Sequence, residues 1–215
     1  MQVEIWSDVV CPWCAIGRAR FARALDMFAQ RDAVTVRWRS FELDPAAPRS
    51  VAGSYVDRLA GKYRVSRARA QAMIDRMTAQ AAAEGLTFRF DQVRPGNTFD
   101  AHRLLHLAAD RQVQRDMVAC LMTAYLSQGA AIGDPATLVE LATGVGLDAS
   151  EVAAVLDGDA YADAVHADEE QAAAFGIGGV PFFVLDRRFG VSGAQPVTVL
   201  HAALVQAHRA GVTRR

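Results

Sequence analysis

Apolar and polar residues alternate from the start of the chain, with Val3 and Ile5 on one side and Glu4 and Trp6 on the other. Period two over residues 2–8 predicts a strand. The period then changes. After Cys11-Pro12-Trp13-Cys14, Phe21, Leu25 and Phe28 recur at i, i+4 and i+7, with Arg18, Arg20, Arg23 and Asp26 between them. That spacing predicts an amphipathic helix to about Gln30. Val34, Val36 and Trp38 alternate with Thr35, Arg37 and Arg39 in a second predicted strand, ending near Phe41. Two strands joined through a helix imply a crossover connection and parallel pairing.

Past the loop Asp44-Pro45-Ala46-Ala47-Pro48, no strand pattern returns before Gly176. Ser66 caps a predicted helix whose apolar side is Ala70, Met73, Ile74, Met77 and Ala81, ended by Gly85. Asn97 or Thr98 caps the next, which carries Leu104, Leu105 and Ala108; Val113, Met117, Leu121 and Tyr125 continue the pattern. Asp134-Pro135 gives the N-cap then N1-proline order, and Asp148 with Glu151 resembles a capping box. Tyr161, Val165, Ala172 and Phe175 line a last helix. Strand character resumes at Val180-Pro181-Phe182-Phe183-Val184-Leu185, turns at Asp186-Arg187-Arg188 and comes back over Phe189 to Ser192 as a hairpin. A terminal helix with Leu200, Ala203, Leu204 and Ala207 follows. The expected organisation is an α/β unit of residues 1–44 and 177–215, interrupted by an all-helical insertion over 45–176 whose last helix packs back on it.

Composition narrows the function. Of 215 residues, 52% are hydrophobic and 22% charged, as in a folded globular protein. A formal net charge of −1 gives no general attraction to nucleic acid or an anionic membrane. No apolar run approaches the ~20 residues of a membrane span. The N-terminus shows no basic stretch followed by a long apolar one, so a cytoplasmic location is expected. There, a CxxC pair rests largely as a dithiol unless an oxidant acts on it.

Cys11 and Cys14 stand where a strand gives way to a helix. Unpaired backbone N–H groups and the macrodipole at a helix N-terminus favour the thiolate, the nucleophilic form. Pro12 suits such a start. Cys14, one turn on, can attack a mixed disulfide formed at Cys11, so the pair can cycle between dithiol and disulfide. Half a zinc site is the competing reading of a CxxC, but Cys120 is the only other cysteine. A structural disulfide across so short a loop would add little stability.

Pro181 opens a strand, where it cannot donate to a sheet ladder; its X–Pro bond can be cis or an ordinary trans bond. His102 and His106 share a helix face but lack the acidic residue of a metal-binding HExxH pattern, and are expected as surface or cap histidines. Cys120, among Met117, Val118, Leu121 and Met122, is expected buried and inert. Asp8 is expected as a strand-end turn residue, with proton relay as its alternative; Glu42 is a weaker candidate of the same kind. Gly176, Gly178 and Gly179 precede a strand, which is not the setting of a phosphate loop.

CPWC after an N-terminal strand, a helical insert, then GGVPFFVL with a hairpin and terminal helix resembles the DsbA family of thioredoxin-fold oxidoreductases. Ser7-Asp8-Val9-Val10 before the CPWC, Phe41-Glu42-Leu43, Asn97 through Arg103 and Ser192-Gly193-Ala194-Gln195 are similar to its FrnE-like branch of predicted cytoplasmic dithiol–disulfide isomerases. The resemblance implies a thioredoxin fold split by the helical insertion, Cys11 as attacking and Cys14 as resolving thiol, and a cis Val180–Pro181 bond facing them. The Val180 backbone would then pair with an extended substrate. Pro12 and Trp13 would shape the contact surface, and Asn97 and His102 would line the cleft. Implied partners are protein or small-molecule thiols and disulfides and a redox partner. No cofactor is needed beyond the cysteine pair, with glutathione a possible exception. Kappa-class glutathione transferases and 2-hydroxychromene-2-carboxylate isomerases are similar around Asn97 to Arg103, but use serine at the Cys11 position and bind glutathione. Their chemistry is the second expectation, and a non-catalytic peptide-binding module the third.

Overall fold

The computed structural model describes residues 1–212, so the last three positions of the 177–215 segment lie outside the described residues. Its sheet comprises β1 (Gln2–Ser7), β2 (Thr35–Ser40), β3 (Phe182–Leu185) and β4 (Phe189–Ser192), in the order β2-β1-β3-β4. β1 and β2 are parallel, with Gln2 opposite Thr35. β3 runs antiparallel to β1, placing Phe182 opposite Trp6, and β4 returns along β3. Strands from both ends of the sequence thus meet, and the chain between them is helical.

β1 lies inside this sheet and both of its faces are covered. Val3 and Ile5 enter the main core, while Trp6 packs on the other side with Ala172, Ile177 and Val184. The alternation in the sequence therefore separates two buried faces rather than a buried and a wet one. Glu4 follows Trp6 inward and is 0% exposed. Its carboxylate accepts from Arg39 Nε and Arg187 Nε, each at 2.9 Å. A buried carboxylate needs such partners.

The helix that starts at the CxxC, α1 (Pro12–Asp26), ends a turn before the expected Gln30. Phe28 N–H closes onto Leu25 O, a tighter i to i+3 bond, and a short 3-10 turn follows at Arg31–Ala33. Phe28 is still buried, against the His201 and His208 rings of the terminal helix.

The helical excursion runs α2 (Tyr55–Tyr63), α3 (Arg67–Ala83), α4 (Phe99–Asp110), α5 (Gln114–Gln128), α6 (Pro135–Gly144), α7 (Ala149–Asp157) and α8 (Ala162–Ala174), and α9 (Val197–Val212) closes the described chain against α1. Ser54, Ser66, Asp134 and Asp148 cap α2, α3, α6 and α7 through their side chains. Asp148 acts alone: Glu151 turns away to Arg111, so the expected capping box is half formed. Residues 101–108 of α4 are all buried, because α5, α7, α8 and β2 pack around it. That corrects the expectation for His102 and His106, which are core residues at 0% and 6% exposure. One hydrophobic cluster runs from Val3 and Ile5 through Leu104 and Leu121 to Leu200, so helices and sheet share a core.

A polar cluster fastens α8 and α4 to β2. Asp168 accepts from Arg39 Nη1 at 2.7 Å and from the Ser40 N–H at 2.9 Å, and lies 3.3 Å from His106 Nε2. Its backbone carbonyl accepts from Trp6 Nε1 at 2.8 Å. Burial alone would raise the Asp168 carboxyl, but His106, the Ser40 amide and Arg39 together hold it below the usual carboxylate range.

Candidate active site

Cys11 is the N-cap of α1, in an extended conformation, and its carbonyl accepts from the N–H groups of Cys14 at 3.0 Å and Ala15 at 3.2 Å. Its own side chain caps nothing, which leaves the sulfur at the positive end of the helix. Pro12 is buried at the first helical position. Cys11 and Cys14 are free thiols at 4% and 0% exposure. Burial, and then the neighbouring Cys11, push the Cys14 thiol well above its ordinary range.

The loop before β3 closes on this helix end. The Val180–Pro181 bond is cis, and the Cys11 thiol donates to Val180 O at 3.8 Å. Gly17 makes the approach possible: a Cβ there would stand 2.8 Å from Pro181 Cγ and 3.5 Å from Phe183 Cζ. Cys11, Cys14, Val180 and Pro181 are thus one constellation, built from chain segments about 170 residues apart in sequence.

A cleft of about 580 Å³ opens over Cys11. Asp8, Cys11 and Val180 line it on the sheet side, and Trp13, 40% exposed, stands at its edge. Tyr55, Arg58, Lys62 and Tyr63 of α2 form the facing wall, with Met73 and Met77 of α3 and Tyr125 of α5. Burial, and then charge at Cys11, push the Tyr55 hydroxyl up. Among the described residues the Arg58 guanidinium has no carboxylate partner.

Asn97 and His102 do not line this cleft. Asn97 Oδ1 accepts from the Phe99 N–H at 2.8 Å and so starts α4, while its Nδ2 reaches Pro45 O at 3.3 Å and Glu42 Oε2 at 3.5 Å. His102 lies deeper, its Nε2 3.4 Å from Asp8 Oδ1. Asp8 does form the strand-end turn, its carbonyl accepting from the Cys11 N–H at 3.2 Å, but its side chain is buried as well, at 1% exposure. Cys120 is partly exposed on α5, contrary to expectation, and its thiol is raised by burial alone. The cationic and aromatic wall on α2 was not expected, because that helix was not. Its signal is Ser54 followed at three residues by Asp57, a cap written with aspartate instead of glutamate. Among the described residues no His, Cys, Asp or Glu cluster could hold a metal, and no helix is long and apolar enough to cross a membrane.

Comparison with known proteins decides the family. The model of the DsbA-like thioredoxin domain matches residues 2–205. The chain belongs to the DsbA-like thioredoxin family. Within the solved members of this fold, the probable DsbA oxidoreductase of Streptomyces coelicolor is 51% identical, with a TM-score of 0.92 over 96% of this chain and 89% of that one. The cytosolic disulfide reductase DsbM of Pseudomonas aeruginosa, solved with GSH, shares the fold at 18% identity and a TM-score of 0.67, over 97% of this chain and all of its own. A 2-hydroxychromene-2-carboxylate isomerase shares it at 16% identity and a TM-score of 0.70, over the full length of both. The uncharacterised YwbO of Bacillus subtilis is 27% identical over 191 residues, 86% of each chain. This DsbA-like chain is accordingly a member of a thiol oxidoreductase family.

Proposed function

We propose that this protein is a cytoplasmic dithiol–disulfide oxidoreductase of the FrnE-like branch, working through Cys11 and Cys14. The observation that carries the reading is the Cys11 sulfur at the N-terminus of α1, 3.8 Å from Val180 O beside the cis Val180–Pro181 bond, with Cys14 sealed beneath it. Cys11 thiolate attacks a substrate disulfide, and one substrate thiol leaves. Cys14 then attacks the Cys11 sulfur and releases the second thiol. The substrate disulfide is reduced and the cysteine pair oxidised by two electrons; the reverse sequence oxidises a dithiol. When the Cys11 thiol ionises, it stops donating to Val180 O. That frees the carbonyl for an extended peptide, recognised through backbone pairing and so tolerant of sequence.

A small thiol such as glutathione is the second occupant the cleft suits. Arg58 and Lys62 offer unpaired positive charge to its carboxylates across from Cys11, and DsbM, of the same fold, is solved with GSH. With both thiols present, this reading makes glutathione a redox substrate rather than the cofactor of an isomerase.

The test is the Cys11–Cys14 couple itself, equilibrated in glutathione redox buffers with thiols counted by alkylation. A reversible two-electron transition confined to these two cysteines is expected. Cys14→Ala should accumulate mixed disulfides through Cys11, and Cys11→Ala should accumulate none. Trapping by Cys11→Ala reverses the roles, and activity that survives loss of both thiols leaves the peptide-binding module.

A further inference from the structure

Two phenols in the cleft carry hydroxyls that the fold does not use. Tyr55 of α2 and Tyr125 of α5 both line the space over Cys11. Among the described residues neither hydroxyl makes a hydrogen bond. The four sealed side-chain polar atoms without a partner belong to Ser7, Arg18 and His102, so both hydroxyls open to the cleft. The Tyr55 ring has a packing role of its own, lying on Phe90 with ring centroids 4.7 Å apart. That contact needs only a ring, and phenylalanine would meet it.

The two phenols differ in what they face. Burial first, and then charge at Cys11, push the Tyr55 hydroxyl up. For Tyr125 burial is followed by Tyr55, and Cys11 is not among the causes. Tyr55 is therefore the phenol nearer the nucleophile, with Tyr125 behind it and Arg58 acting on both. A hydroxyl held above its ordinary range keeps its proton at neutral pH, and a protonated phenol is a hydrogen-bond donor.

The line of attack supplies the acceptor. Thiolate attack on a disulfide is an in-line displacement, with attacking, central and leaving sulfurs on one axis. Cys11 is backed by α1 and by the sealed Cys14, and it is 4% exposed, at the cleft. A disulfide therefore reaches it from the cleft, and the far substrate sulfur points across the cleft towards α2. That sulfur stands two S–S lengths, ~4 Å, from Cys11 as the bond is exchanged. The developing negative charge sits on it.

We propose that Tyr55 is a catalytic residue of the first exchange, its hydroxyl donating a hydrogen bond to the leaving sulfur of the substrate disulfide. This rests on the exchange reading above. The Cys11 thiolate gives its electron pair to the near substrate sulfur and forms the mixed disulfide. The bond between the two substrate sulfurs breaks with its pair on the far sulfur, where the Tyr55 O–H meets it. Tyr55 keeps its proton, and the departing thiolate takes one from solvent. A neutral disulfide sulfur is a weak acceptor and a thiolate a strong one, so the bond stabilises the transition state more than the ground state. The gain is largest for basic thiols, which leave slowly unaided.

The test uses full-length protein carrying Cys14→Ala and Cys120→Ser, so that only Cys11 reacts and the mixed disulfide accumulates. Two uncharged reagents are compared, dithiodipyridine with a good leaving thiol and hydroxyethyl disulfide with a poor one. Mixed disulfide is followed by rapid quench and mass spectrometry across pH. Tyr55→Phe keeps the ring on Phe90 and removes only the hydroxyl. It should slow attack on hydroxyethyl disulfide about tenfold, the low end for a hydrogen bond to a charged group. Attack on dithiodipyridine should slow less than about twofold, because its leaving thiol needs little help. The pH midpoint of Cys11 attack should not move. Slowing that is equal for the two reagents or larger for dithiodipyridine, no slowing of either, or a shifted Cys11 midpoint overturns the proposal, since the hydroxyl then serves the cleft or the nucleophile and not the leaving sulfur. A parent that forms no mixed disulfide with either reagent overturns the exchange reading itself.

Discussion

Gly17→Ala tests whether the helix carrying the thiols is held by direct apposition to Pro181. The added Cβ would sit 2.8 Å from Pro181 Cγ, whereas carbon atoms in contact prefer about 3.5–4.0 Å. The helix and the Pro181 loop must therefore separate by about 0.7 Å or more. Two opposing terms set the stability. Alanine gains about 1 kcal/mol over glycine inside a helix, and overpacking a tight site costs about 1–3 kcal/mol. The net is a loss of about 0–2 kcal/mol, or up to about 8 °C in Tm for a chain of this size. Function should suffer more than stability. The displaced pair is Cys11 and Val180, and misplacing reacting groups by about 1 Å costs on the order of a hundredfold in rate. Melting curves and the rate of Cys11 attack on a model disulfide measure both. A variant more stable by about 1 kcal/mol, the helix-propensity gain alone, with an unchanged rate, would refute tight apposition.

Asp168→Ala should cost about 3 kcal/mol in denaturant titration, the low end for breaking a buried ion pair, because Arg39 keeps Glu4 as a partner; a loss under about 0.5 kcal/mol, the level of an ordinary surface change, would contradict the role. Since the folded Asp168 carboxyl is held low, its stabilisation is complete above the unfolded value of about 3.9 and is lost as pH falls through the folded value. The stability gap between the parent and Asp168→Asn should therefore narrow only in acid. Arg58→Glu should raise the KM for glutathione disulfide with little change in kcat, the signature of lost uniform binding, while a neutral peptide disulfide is unaffected; equal effects on both would remove the anion-binding role.

Much of this architecture is legible in the sequence because local signals and long-range needs agree. Ser66, Asp134 and Asp148 cap where their side-chain chemistry says they should, and the hairpin turns at Asp186 to Arg188, with positive φ at Asp186 and Arg187. The misses have one physical origin: a sequence period reports which side of an element is apolar, not what lies against the other side. Nothing in the period marks Glu4 as buried, because the cations that neutralise it, Arg39 and Arg187, are 35 and 183 residues away. His102 and His106 read as surface residues because their neighbours, Asp8 and Asp168, come from other elements. The end of α1 is misread for the converse reason, as Phe28 keeps the apolar period after the helix has stopped.

The candidate site divides along the same line. Cys11, Cys14 and Pro181 stand out in the sequence because each is informative alone: two thiols at a strand-to-helix junction, a proline at a strand start. The remaining residues carry information only through juxtaposition. Arg58 is one arginine among many until α2 places it across from Cys11. Asp8 is a turn residue until α4 brings His102 to its carboxylate. The sheet and α1 supply the nucleophile and the Val180 carbonyl, while the insertion supplies the cleft wall and the imidazole. The insertion therefore does more than enlarge the fold. It holds Tyr55, Arg58 and Lys62, the groups that can set what enters the cleft over Cys11.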